Sequence, residues 1–329
     1  MKGVTMRSSL FACLFLVGCG GGGGTSDSMM GDDTPGDDGG ITPPARGFQI
    51  VSPELDIMPL QEITYCYYFR TPNTEPMAIK KWESVMTPGS HHLIMFTTGT
   101  TDKMPPGTVS AANCGFGGGG TNVPNWTYSA QTPMSSMSLP ADDGTGKPLA
   151  MDIPANTAGY VQMHYFNATD NAIKAHITIN AEALDAGAAF TKTAAFVTYN
   201  SEISIPAGAT NDVESKTCSG PPAGSKFWLM STHAHKQAIK TEILDGTDSV
   251  MSSTDWEHPM PTMWMASPFY TFASGKVTYR CTYNNTTPPN STRTITAGDS
   301  AATDEMCMAS GYYFPATKSL ICYNGNGPF

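Results

Sequence analysis

The chain has 329 residues, of which 14% are charged, and a formal net charge of −10. That length exceeds a typical single sandwich and fits two domains, each able to bury its own core. The acidic balance argues against nucleic acid as a partner.

In chain order the first element is a targeting segment. Lys2 and Arg7 precede an apolar stretch from Leu10 to Val17 that ends in Leu16-Val17-Gly18-Cys19. The run is too short to span a bilayer and reads as a cleaved lipoprotein signal, residues 1–18. Cys19 then carries the lipid, which anchors the protein to a membrane of the cell envelope, facing the periplasm or the exterior. Residues 19–46, rich in Gly, Ser and Asp, cannot build a packed core and read as a flexible, disordered tether.

Beyond the tether, short alternating runs of Thr, Val, Ile and aromatic residues favour strands over helices. A first series covers residues 63–69, 92–97, 160–166, 175–179 and 194–199. Residues 115–120 and 129–146 read as loop insertions. A second series covers 227–230, 238–244, 269–272, 276–283 and 311–314. No amphipathic helix of convincing length is present. The expected fold is all-β, two tandem antiparallel β-sandwich domains of jelly-roll-like form, residues 47–200 and 201–329.

Without Cys13 in the signal and Cys19 on the lipid, six cysteines remain: Cys66, Cys114, Cys218, Cys281, Cys307 and Cys322. An even number outside the cytoplasm points to disulfides, and spacing alone leaves about 15 pairings open. None shows the close CxxC spacing of a structural zinc site.

Histidine is scarce, seven in the chain, yet five fall in three short segments beside strand-like sequence. His233 and His235 are two apart, so on a strand they face the same way and can present two imidazoles to one metal. Ser231 lies on that face too. His91 and His92 are adjacent and can share a metal only across a twist or bulge, for which Gly89 and Ser90 prepare the chain. A third imidazole comes from His164, with His176 the competitor in a plain sheet context. Met306 offers a thioether, a soft ligand that favours copper, if it reaches the same site as His233 and His235. The chain has 20 methionines, however, and most such residues fill cores. His258 and the Met-rich segment 251–265 read as a packed loop that could also touch copper.

Taken in order, these segments resemble the copper type II, ascorbate-dependent monooxygenases, the family of dopamine β-monooxygenase and peptidylglycine α-hydroxylating monooxygenase. The resemblance spans roughly residues 50–315. It is carried by RCTYNNT (280–286) and TDEMC (303–307), which look like the family's CxYN and EMC signatures, with HHLIMF, MHYFN and HAH in family order. It implies two copper ions, with ascorbate or a similar reductant as co-substrate. His91, His92 and His164 would hold the copper that stores an electron, and His233, His235 and Met306 the copper that binds dioxygen. It also implies the disulfides Cys66–Cys114, Cys218–Cys322 and Cys281–Cys307. Peptide-amidating members carry Arg where this chain has Ser231, and Asn and Tyr where it has Met308 and Ser310. A small or apolar substrate is therefore expected, hydroxylated at a C–H bond. The alternative is a surface lipoprotein that stores or delivers copper without turnover.

Overall fold

The computed structural model describes residues 40–112, 114 and 124–329. The signal, Cys19, most of the tether and the glycine run 115–120 lie outside the described residues. Among the described residues there is no α-helix, and none long and apolar enough to cross a membrane.

The first sandwich has two sheets. One runs Gly47–Val51, Ile177–Ala183, Met77–Met86, Leu149–Ile153, Thr191–Lys192, with Met134–Ser138 added beside Met77–Met86. The other runs Val109–Ser110, Glu62–Arg70, Ala158–Phe166, Ser90–Gly99, Asn125–Ala130. The second sandwich pairs a sheet of Thr262–Met263, Lys226–Ala234, Cys307–Phe314, Ala194–Tyr199 and Leu320–Tyr323 with one of Asp212–Ser219, Lys276–Tyr283, Ala238–Asp245 and Asp248–Ser253.

Alternation along the second sandwich's strands decides where its chemistry points. On Cys307–Phe314, the residues Cys307, Ala309 and Tyr313 enter that sandwich's own core. Met308, Tyr312 and Phe314 instead join a core shared with the first sandwich, which also contains Trp82, Phe96 and Trp126. On Lys226–Ala234, Met230 and Ala234 point inward and Leu229 joins the shared core. Ser231 and His233, at two-residue steps from Leu229, therefore face the first sandwich. The seam is polar-satisfied as well as apolar: Tyr312 donates to the Thr127 carbonyl at 3.2 Å and Ser319 to that of Trp126 at 3.0 Å. A continuous apolar core across two sandwiches fixes their orientation.

Cysteines pair as Cys66–Cys114, Cys218–Cys322 and Cys281–Cys307. Four expectations need correction. Ala194–Tyr199 pairs with Cys307–Phe314 and Leu320–Tyr323, so it belongs to the second sandwich and the division falls before it rather than after residue 200. The 129–146 stretch is not a loop throughout, because Met134–Ser138 pairs with Met77–Met86. Residues 269–272 make only a single bridge, Tyr270 with Phe227. The end of the tether is pinned: Gln49 donates to the Ile41 carbonyl at 2.8 Å and Asn180 to that of Thr42 at 2.7 Å.

Candidate metal centre

The first three histidines are brought together by a bulge. His92 stands opposite His164, but the next pair is Ser90 with Tyr165, so His91 is the extra residue. Gly89, at φ +95°, takes the left-handed turn that sets up this irregularity, a conformation costly for any residue with a Cβ. The bulge brings both imidazoles to one side. Ring centroids of His91 lie 5.1 Å from His92 and 5.3 Å from His164, and His92 lies 5.0 Å from His164. One ligand-capable atom from each of the three falls within 4.8 Å of the others.

His233 and His235 share a face as their spacing requires, with rings 5.4 Å apart. Because that face meets the first sandwich, His233 comes within 5.4 Å of His92 and 5.9 Å of His91, and His235 within 6.3 Å of His91. The two sets, expected one per domain, thus line a single basin at the seam. Trp256, from the loop after Asp248–Ser253, stacks on His91 at 5.8 Å and forms part of its wall.

Burial dominates the electrostatics. Desolvation pushes His91 down to about 3, helped by its neighbours His164 and His235. It pushes His235 down to about 4, opposed by the Asp304 carbonyl, and carries His92 and His233 well below the ordinary imidazole value. These rings are neutral at neutral pH and hold their lone pairs ready for a cation.

Partners on the outer side set the ring tautomers. His164 Nε2 meets Glu62 Oε1 at 3.0 Å, and that hydrogen bond, outweighing burial, draws the carboxyl down to about 2. His233 Nδ1 meets Gln131 Oε1 at 2.8 Å, and His235 Nδ1 meets the Asp304 carbonyl at 3.1 Å. What remains is His91 Nε2, His164 Nδ1 and His235 Nε2, all buried with no protein partner. An unbonded buried polar atom costs about 1–3 kcal/mol. Three such nitrogens in one basin fit a metal that takes imidazole, and the donor chemistry suits copper or zinc.

Met306 occupies the position opposite His235 if the pairing of Ala234 with Cys307 is continued by one residue. It is partly buried against the shared core, on the face that also carries Met308 and Tyr312. Beneath it, Glu305 is fully buried and accepts hydrogen bonds from the backbone N–H groups of His235 (2.9 Å), Gln237 (2.8 Å) and Met306 (3.3 Å). Burial pushes its carboxyl up to about 8 against the pull of those donors.

Ser231 pairs with Ser310, and His233 with Met308. Ser231 is buried and Met308 is packed into the shared core, so Met308 offers no open surface to a substrate. His176 is no sheet histidine: it sits in the break between the strands Ile173–Ala175 and Ile177–Ala183, beside Thr87 and outside the histidine group. His258 is exposed, its backbone N–H held by Asp255 at 3.0 Å. In the Met-rich segment Met251 is core, whereas Met260, Met263 and Met265 are 79%, 41% and 41% exposed. Glu62, Gln131, Trp256 and Glu305 were not legible as site residues. Each acts through a partner distant in sequence, and only for Glu305 was there a signal, its place beside Met306.

Residues 193–328 match the family described as "Copper type II ascorbate-dependent monooxygenase, C-terminal domain". No curated protein matches the chain. A solved structure, that of the PBSX exported protein XepA, is similar over 83% of this chain and 89% of that chain, at 8% identity and a TM-score of 0.24. A likeness of that size carries no argument.

Proposed function

We propose that this chain, whose residues 193–328 match the copper type II ascorbate-dependent monooxygenase C-terminal domain, hydroxylates a C–H bond of a small or apolar molecule with dioxygen. The carrying observation is the trio of buried, partnerless histidine nitrogens in a basin lined by five imidazoles. His91, His92 and His164 would hold one copper and His233, His235 and Met306 the other. Copper bound there supplies one-electron chemistry with dioxygen, ascorbate or a similar reductant providing the two electrons that reduce the second oxygen atom to water.

The chain's own residues do the rest. Gln131 and the Asp304 carbonyl occupy Nδ1 of His233 and His235, leaving Nε2 of each for the metal. Glu305 ties the His235 and Met306 backbones together, so the two segments keep a fixed spacing. Trp256 over His91 limits water at the basin and presents an apolar wall to substrate. Ser231 supplies no cation for a peptide carboxylate, which favours an uncharged substrate. We further propose that the protein works at the cell envelope, held to a membrane by lipid on Cys19.

The test is incubation of copper-loaded protein with ascorbate, ¹⁸O₂ and a panel of amines, aromatics and aliphatic compounds, read by mass spectrometry. One labelled oxygen in a product supports the reading, and ascorbate oxidation with no labelled product across the panel counts against it. The exposed residues Met260, Met263 and Met265, in the segment that follows Trp256, favour a second reading in which the protein stores or delivers copper. Such a protein would bind Cu(I) and yield no labelled product.

A further inference from the structure

We infer that Glu62 is a positioning residue that latches the two ligand sets to each other, an inference that rests on the copper reading of the basin. Glu62 begins the strand Glu62–Arg70 in the first sandwich, and its Oε1 meets His164 Nε2 at 3.0 Å. With Nε2 so occupied, Nδ1 is the only nitrogen His164 can offer, and that is the buried atom lacking a protein partner.

The same carboxylate also reaches into the second sandwich. Its Oε1 accepts the Ala301 N–H at 2.9 Å and its Oε2 the Ser300 hydroxyl at 2.9 Å. Ser300 in turn organises the turn that leads to Met306: its carbonyl accepts the Asp304 N–H at 2.9 Å and its hydroxyl the Thr303 N–H at 3.3 Å. The Asp304 carbonyl then meets His235 Nδ1 at 3.1 Å. One carboxylate therefore orients a ligand of the first set directly and a ligand of the second through a five-residue turn. A mere surface ion pair would hold neither, and Glu62 keeps only 21% of its side chain accessible. Its remaining exposure means that a variant need not lose the core.

The experiment compares wild-type protein with Glu62→Ala and Glu62→Gln. It reads copper affinity by chelator competition, the Cu(II) electron paramagnetic resonance spectrum, and amide hydrogen exchange of the metal-free protein. Loss of an outer partner of a metal-bound histidine typically lowers affinity by roughly 10- to 100-fold. The Ala variant should show that loss, an altered spectrum, and faster exchange at Ala301 and Asp304. The Gln variant retains an acceptor, so it should recover protection at Ala301 and part of the affinity. Affinity within about twofold of wild type with an identical spectrum would overturn the positioning role. Unchanged exchange at Ala301 and Asp304 would overturn the latch. Wild-type protein that takes up no copper would instead count against the copper reading, and the exchange data on metal-free protein would still decide the latch.

Discussion

Replacing Glu305 by Ala strips the common acceptor from three backbone N–H groups beneath the second ligand set. Two of the bonds are short, from His235 at 2.9 Å and Gln237 at 2.8 Å, and the third, from Met306, is 3.3 Å. Each short bond orphaned in a buried place costs about 1–3 kcal/mol, and the long one less. Removing a buried carboxyl returns part of this by relieving its desolvation, which leaves a net loss of about 3–5 kcal/mol. For a chain of this size that lowers the melting temperature by roughly 10 °C. Glu305→Gln keeps one acceptor oxygen and should lose about 1–2 kcal/mol. Urea unfolding of the metal-free proteins measures both. An Ala variant within about 1 kcal/mol of wild type would refute the assignment of Glu305 as the tie between the His235 and Met306 segments.

Gln131→Ala should weaken copper at the His233 set by roughly tenfold or more while leaving the His91 set unchanged, measured by competition with a chelator. Opening Cys218–Cys322, which closes 104 residues, should cost about 4–5 kcal/mol, against about 3–4 kcal/mol for Cys281–Cys307, which closes 26. The smaller loss should nonetheless carry the larger effect on the sulfur signal in copper X-ray absorption, because Cys307 anchors the backbone next to Met306. Burial raises Asp143, but hydrogen bonds from Thr191 and Thr145 outweigh it and hold the carboxyl at about 2. Its folded value lies below its unfolded one. Its stabilisation is therefore present above the ordinary carboxylate range near pH 4 and lost as pH falls toward 2. Asp143→Asn should abolish that part of the pH dependence of the urea midpoint.

Much of this molecule was legible where period-2 alternation was undisturbed. Ala194–Tyr199 and Lys276–Tyr283 were read with the ends that the structure gives them. Met77–Met86 was missed because Lys80 is bulged. Ala183 pairs with Ile79 and Glu182 with Lys81, so the buried Ile79 and Trp82 fall three residues apart and break the alternation. Asp212–Ser219 was missed for a different reason: it is an edge strand whose sequence, DVESKTCS, is mostly polar. At the site, the same-face geometry of His233 and His235 followed from spacing, and the bulge at His91 from Gly89. Which sandwich Ala194–Tyr199 joined was not local information, since its partners come more than 100 residues later. The meeting of both histidine sets in one basin was equally hidden. It depends on Leu229, Tyr312 and Phe314 facing outward into a shared core, a choice between two apolar faces that composition does not make.

On the reading proposed above, the basin at the seam holds copper through two ligand sets. Its most direct test is the copper content per chain of reconstituted, exhaustively dialysed protein, compared among wild type, His92→Ala and His233→Ala. Two ions are expected in the wild type and one in each variant. No retained copper, or a content that neither substitution lowers, would contradict it.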